Sequence, residues 1–133
     1  MAAKRRQGKL LPIYPSRSEV YRLIAACAND RDAMLVKLLW NTGGRVSEVI
    51  QVRVGDITRA GLRMPNLKQH GPAQKHVFLS PDFLVERRAW CAGKPLEDPI
   101  VGRLNDGRPM SRVRAWQIVK KAGADLAIRN NQD

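Results

Sequence analysis

The feature that most limits what this chain can fold into is a break, Thr42-Gly43-Gly44, set between two apolar stretches of LLWNTGGRVSEVIQVRVGDI (residues 38–57). Two consecutive glycines let a backbone leave one helix at positive φ and begin another with its first amides unpaired. Arg45 follows the break directly, and Glu48 comes one turn later. An arginine at that point can aim its planar fork at an oxyanion that the unpaired amides also attract. The same spacing suits an ordinary helix–turn–helix corner with a solvated arginine, and the stretch alone leaves both open.

Charge indicates what such an arginine would meet. The formal net charge is +12, with a sequence pI near 10.7. An excess of this size implies an anionic polymer as partner, because phosphate neutralisation releases counterions and dominates affinity. Aromatic residues make up only 5% of the chain, too few for stacking on single strands, so double-stranded DNA is favoured. No segment joins a basic face to a strong apolar one, and no apolar run reaches membrane length, which argues against a membrane partner. The basic opening MAAKRRQGKLLPIYP lacks the apolar region of a signal peptide, and a cytoplasmic protein is expected. Cys27 and Cys91 stand singly inside expected helices and read as core or near-core thiols. With His70 and His76 they make no metal-ligand spacing, and no phosphate loop for a nucleotide is present; neither metal nor other cofactor is expected.

At 133 residues and 44% hydrophobic, the chain suits one domain with a modest core, residues 16–133, preceded by a basic arm over 1–15. Ser16-Arg17-Ser18-Glu19 has the form of a capping box, so a helix begins near Arg17, with Val20, Leu23, Ile24 and Cys27 as its buried stripe. Asn29 and Asp30 cap a second helix over roughly 31–41, in which Leu35, Leu38 and Leu39 share a face. Past the glycines a short third helix turns Val46, Val49 and Ile50 inward. Arg45 and Glu48 then lie three apart, close enough for the carboxylate to orient the guanidinium. From Val52 the pattern alternates, and VRVGDI, GLRMPNL and KHVFLS are expected strands, the last two joined by a long tip over 68–74. Pro65 places the second at a sheet edge. Ser80-Pro81-Asp82 opens a helix that runs to Cys91. A Gly/Pro/Asp-rich loop (93–110) carries Lys94, Arg103 and Arg108. Ser111 then caps a last helix with an Ala115, Val119, Ala122 stripe flanked by Trp116. Its other positions, Arg112, Arg114, Lys120 and Lys121, form a face suited to DNA backbone contact. The expected class is mainly α with a small antiparallel three-stranded sheet (α+β).

This order resembles the catalytic domain of the tyrosine recombinase (phage integrase) family. LLWNTGGRVSEVIQVRVGDI resembles the family's first signature box, a Thr-Gly-x-Arg-x-Ser-Glu core, and YPSRSEVYRLIAAC resembles the helix that opens the domain. NLKQHGPAQKHVFLS resembles the hairpin bearing the family's catalytic lysine, and SRVRAWQIVKKAGADLAI the helix before the second box. The resemblance covers about residues 12–128. It implies a DNA strand cleaving and rejoining reaction through a phosphotyrosine, and a family that assembles as a tetramer on DNA, without metal or nucleotide. Residue by residue, Arg45 matches the first catalytic arginine that holds the scissile phosphate, and Glu48 the acidic residue that supports it. Lys68 matches the hairpin lysine that protonates the leaving 5′ oxygen; Lys75 is its rival, because the hairpin register is not set by sequence. His70, Lys75, Arg103, Arg108, Arg112, Arg114 and Lys120 are the remaining expected DNA-binding residues.

The chain also departs from the family. Neither His70 nor His76 begins a His-x-x-Arg, and the only tyrosines, Tyr14 and Tyr21, precede the first box. The expectation is a catalytic domain truncated before its second box and inactive alone, with an exposed apolar surface that favours self-association. A winged-helix DNA-binding protein is the alternative, with residues 45–51 as recognition helix and the 62–79 hairpin as wing.

Overall fold

The computed structural model describes residues 16–67, 71 and 73–132. The basic arm, Tyr14, Lys68 and His70 therefore lie outside the described residues.

Two capped helices begin the domain. In α1 (Arg17–Ala26) the Ser16 hydroxyl accepts from the Glu19 amide at 3.2 Å and the Glu19 carboxylate accepts from the Ser16 amide at 2.8 Å, the reciprocal pair of a capping box. In α2 (Asp30–Thr42) the Asn29 side chain accepts from the Asp32 amide at 2.9 Å. The two glycines that end α2 do different work. Gly43 sits at φ 65°, the left-handed cap that a side chain disfavours. Gly44 is closely surrounded: a Cβ there would lie 2.6 Å from Met64 Cε and 3.2 Å from both Thr42 Oγ1 and Val49 Cγ2. The break turns the chain and lets the following strand pack against the turn.

After it come α3 (Val46–Val49), a 3-10 turn (Val54–Asp56), β1 (Gly61–Pro65), β2 (Gln74–Phe78), α4 (Pro81–Cys91) and α5 (Arg112–Gln132). The sheet has two strands, not the expected three. β1 and β2 pair antiparallel, with Gly61 opposite Phe78 and Pro65 opposite Gln74. The VRVGDI segment fails as a strand because its middle curls: the Asp56 carboxylate accepts from the Arg53 amide at 2.9 Å and closes the turn. Its main chain bonds instead to the 96–100 loop, through Val54 N to Asp98 O, Gly55 N to Leu96 O and Ile100 N to Val52 O. Alternating hydrophobicity is met here by a loop partner rather than by a ladder.

The core lies between α2, the hairpin, α4, the 100–110 loop and the start of α5. Leu35, Leu38, Val49, Leu62, Met64, Ile100 and Ala115 are all essentially inaccessible. Each large aliphatic side chain buried there contributes roughly 1.5–3 kcal/mol relative to exposure. Cys91 is buried and Cys27 half-buried, as free thiols. The stripe of α5 is Ala115, Ile118 and Ala122, with Val119 partly buried beside it, so Ile118 joins the expected set. Among the described residues no helix is long and apolar enough to cross a membrane.

Candidate nucleic-acid interface

The site grows out of Glu48. Although it lies four residues past the break, its side chain is only 1% exposed. One carboxylate oxygen accepts from the Arg45 amide at 2.9 Å and from Lys75 Nζ at 3.1 Å; the other accepts from the Leu67 amide at 2.9 Å. These donors come from three places: the start of α3, the chain just past β1, and β2. Burial pushes the Glu48 carboxyl up, but the Arg45 and Leu67 amides and the Lys75 ammonium outweigh it and hold the group down to about 2. Glu48 is thus an anion pinned between the break and the hairpin.

Its bond to Arg45 is not the expected one. The carboxylate grips the main chain of Arg45 rather than its guanidinium. The Arg45 side chain is exposed, and no carboxylate among the described residues pairs with it. A short apolar helix and a buried anion behind it fix where the arginine starts, while its charged end remains open to a ligand.

That end lines a cleft of about 760 Å³ together with Val46, Ser47, Leu67, Arg112, Val113 and Trp116. The cleft has two characters. Arg45 and Arg112 bring cations from α3 and α5, and Leu67, Val113 and Trp116 bring exposed apolar surface. Residues 112 and 116 are one helical turn apart, which puts both side chains on one face of α5. In the sequence, charge and periodicity make Arg112 an expected DNA contact and Trp116 only a flank; their four-residue spacing is the signal that joins them.

The other expected DNA-binding residues separate. Lys75 lies on β2 in its ion pair with Glu48, at the edge of this same site. Arg103 and Arg114 line a different cleft, with Arg31. Arg108 is exposed in the loop, where its amide donates to Asp106, and Lys120 is exposed on α5; neither lines the Arg45 cleft. Tyr21 is exposed on α1 and is not part of the cleft either. His76 bonds Thr58 Oγ1 at 2.6 Å and stacks edge-on against Phe78. Among the described residues no group of three or more His, Cys, Asp and Glu side chains gathers as a metal site would require.

The segment past the break is no recognition helix. α3 is four residues long, and Glu48, Val49 and Ile50 are buried, so little of 45–51 is available to read base edges. The helices and the β1–β2 hairpin share their fold with a solved recombinase. A crystal structure of XerA recombinase matches with a TM-score of 0.67 at 18% identity, over 86% of this chain and 43% of that one. In sequence, the tyrosine recombinase XerA of Saccharolobus solfataricus is 28% identical over 112 residues, 81% of this chain and 36% of the relative. No family model matches the chain. The chain spans about a third of the length of the curated relative it matches. The likeness in sequence and the likeness in fold both fall on tyrosine recombinases.

Proposed function

We propose that this chain is the phosphate-holding part of a site-specific tyrosine recombinase, and that its substrate is duplex DNA. The observation that carries the reading is the exposed Arg45 at the mouth of a cleft shared with Arg112, its main chain anchored by the buried Glu48. Attack on a phosphodiester builds charge on the non-bridging oxygens, and a preorganised bidentate cation stabilises that charge; removal of one such donor costs roughly two to three orders of magnitude in rate. Lys75, or Lys68 on the hairpin tip, is the general acid toward the leaving 5′ oxygen. Lys68 is the better match in the family's order, and Lys75 already serves Glu48.

Tyr21 does not line the Arg45 cleft, and both Tyr14 and Tyr21 precede the first box, where the family's order does not place the nucleophile, so the covalent step calls on a different tyrosine. The exposed Leu67, Val113 and Trp116 are the surface a segment carrying it, or a second copy on DNA, would cover. Integration, excision and resolution all use this chemistry.

Fluorescence anisotropy of a labelled duplex tests the DNA reading. Arg45→Ala/Arg112→Ala lowers affinity and reduces the log K against log salt slope by about 0.9 for each phosphate no longer neutralised. On a suicide duplex the chain forms no covalent adduct. Unchanged affinity and slope in the double variant would overturn the assignment of this cleft.

A further inference from the structure

A second arginine-lined cleft lies on the other flank of the α5 N-terminus. It has a volume of about 460 Å³ and is lined by Arg31, Arg103, Leu104, Asn105, Pro109, Ser111 and Arg114, none of them acidic. Arg112 faces the Arg45 cleft and Arg114 faces this one, two positions apart on a helix and so on opposite sides of it. We propose that this cleft is a second oxyanion seat, taking a backbone phosphodiester of the same duplex some distance along from the one at Arg45. The proposal rests on the DNA reading but on different residues.

Arg31 makes the site more than a charged surface. Its side chain is only 7% exposed, an unusual place for a guanidinium. Its Nε donates to Asp32 at 2.7 Å and its Nη1 to the Gly102 carbonyl at 2.8 Å. A guanidinium has five N–H donors, so two bonds fix its plane without exhausting it. The bond to Gly102 also ties α2 to the loop that carries Arg103. Arg103 is itself steadied by Asp106 at 3.4 Å, and Arg114 rises from the first turn of α5. Its amide donates to the Ser111 hydroxyl at 3.0 Å. Three cations from three separate segments thus converge, and the buried one is held in advance, which lowers the ordering cost of binding an anion. The planar forks of Arg31, Arg103 and Arg114 suit the tetrahedral oxygens of a phosphate better than a point charge would.

Arg31 is part of the packing, so the test uses the exposed pair, Arg103→Ala/Arg114→Ala, in the full chain, with Arg17→Ala/Arg88→Ala as a control of equal charge outside both clefts. Anisotropy of a labelled duplex is measured across a salt series. The expected result is a loss of about 0.9 in slope and about eightfold in affinity at 0.1 M salt for each phosphate no longer neutralised, and a smaller effect of the control pair. Equal effects of the two pairs, or no change in slope, would overturn the proposal. Arg45→Ala/Arg112→Ala in parallel separates the two readings: if that pair weakens binding and Arg103→Ala/Arg114→Ala does not, the second seat fails and the DNA reading stands. A final arm follows the Arg31 Nε–H resonance during titration with inorganic phosphate alone. Weak, millimolar shifts that vanish in Arg103→Ala/Arg114→Ala fit a backbone phosphodiester; saturation at micromolar phosphate would make the ligand a free anion and overturn the duplex assignment.

Discussion

Replacing Glu48 by glutamine keeps its shape and removes its charge, which isolates what the buried anion does. The carboxylate has two acceptor oxygens facing two backbone amides and one ammonium. Glutamine offers one oxygen, so one of the two amides must face an NH2 group, and Lys75 loses its counter-ion. With the carboxyl held at about 2 against an ordinary value of 4.5, the ionised form is worth about 3 kcal/mol to the folded state at neutral pH. Loss of one partner of a buried pair is expected at a similar size, roughly 3–5 kcal/mol. Glu48→Gln should therefore lower stability by about 3 kcal/mol at pH 7, seen in urea unfolding, with a fall in Tm of roughly 10 °C. The pH dependence supplies the sharper check. A depressed carboxylate stabilises above its unfolded pKa, and that stabilisation is lost as pH falls through its folded value. The gap between wild type and Glu48→Gln should thus be full above about pH 5, shrink between 4.5 and 2, and be mostly gone below. A gap below about 0.5 kcal/mol at pH 7, or one that does not change with pH, would refute the role given to Glu48.

Three further perturbations probe the scaffold around the site. Gly43→Ala forces a side chain into the left-handed region at φ 65° and should cost about 1 kcal/mol in thermal unfolding; Gly44→Ala should cost no more than that, because the terminal methyl of Met64 can swing aside and Thr42 and Val49 have only to yield slightly. Arg87 is buried on α4, donating to the carbonyls of Gly61 and Thr58 with its Nε unpaired, and burial lowers its pKa. Arg87→Met should destabilise by about 2–3 kcal/mol in denaturant unfolding, since the two carbonyls lose a charged donor and the orphaned Nε gives back only part of that. Burial pushes both thiols up, with Asp32 adding to it at Cys27 and with Lys94 and Arg87 opposing it at Cys91; Cys91 is also the more deeply buried, so a thiol reagent should modify native Cys27 slowly and Cys91 more slowly still, and both at once on unfolding.

Much of this fold is legible in the sequence because it is written in local chemistry. Ser16 with Glu19, Asn29, Ser80 before Pro81, and Ser111 each announce a helix start through a side-chain acceptor, and all four start one. Long-range pairing is not legible in the same way. VRVGDI alternates as a strand should, yet Asp56 closes a local turn and the 96–100 loop, about forty residues on, takes its amides. Arg45 and Glu48 are visible as neighbours on a helix, but spacing cannot say which atoms of Arg45 the carboxylate holds. Arg31 is invisible as a functional candidate because only the fold brings it to Gly102, Arg103 and Arg114. The cleft wall of Leu67 and Trp116 joins a residue just past β1 to one on α5, with β2 and α4 between them in the chain, a juxtaposition no local pattern encodes.

The central claim is that Arg45, with its main chain fixed by Glu48, receives a phosphodiester. The most direct measurement is the Arg45 Nε–H resonance of the labelled chain during titration with a short duplex at low salt, with Glu48→Gln alongside. The resonance is predicted to shift saturably with the affinity found by anisotropy, to return as salt releases the duplex, and to lose that behaviour in Glu48→Gln. A duplex that binds with the same affinity while the Arg45 resonance stays where it was would contradict the claim.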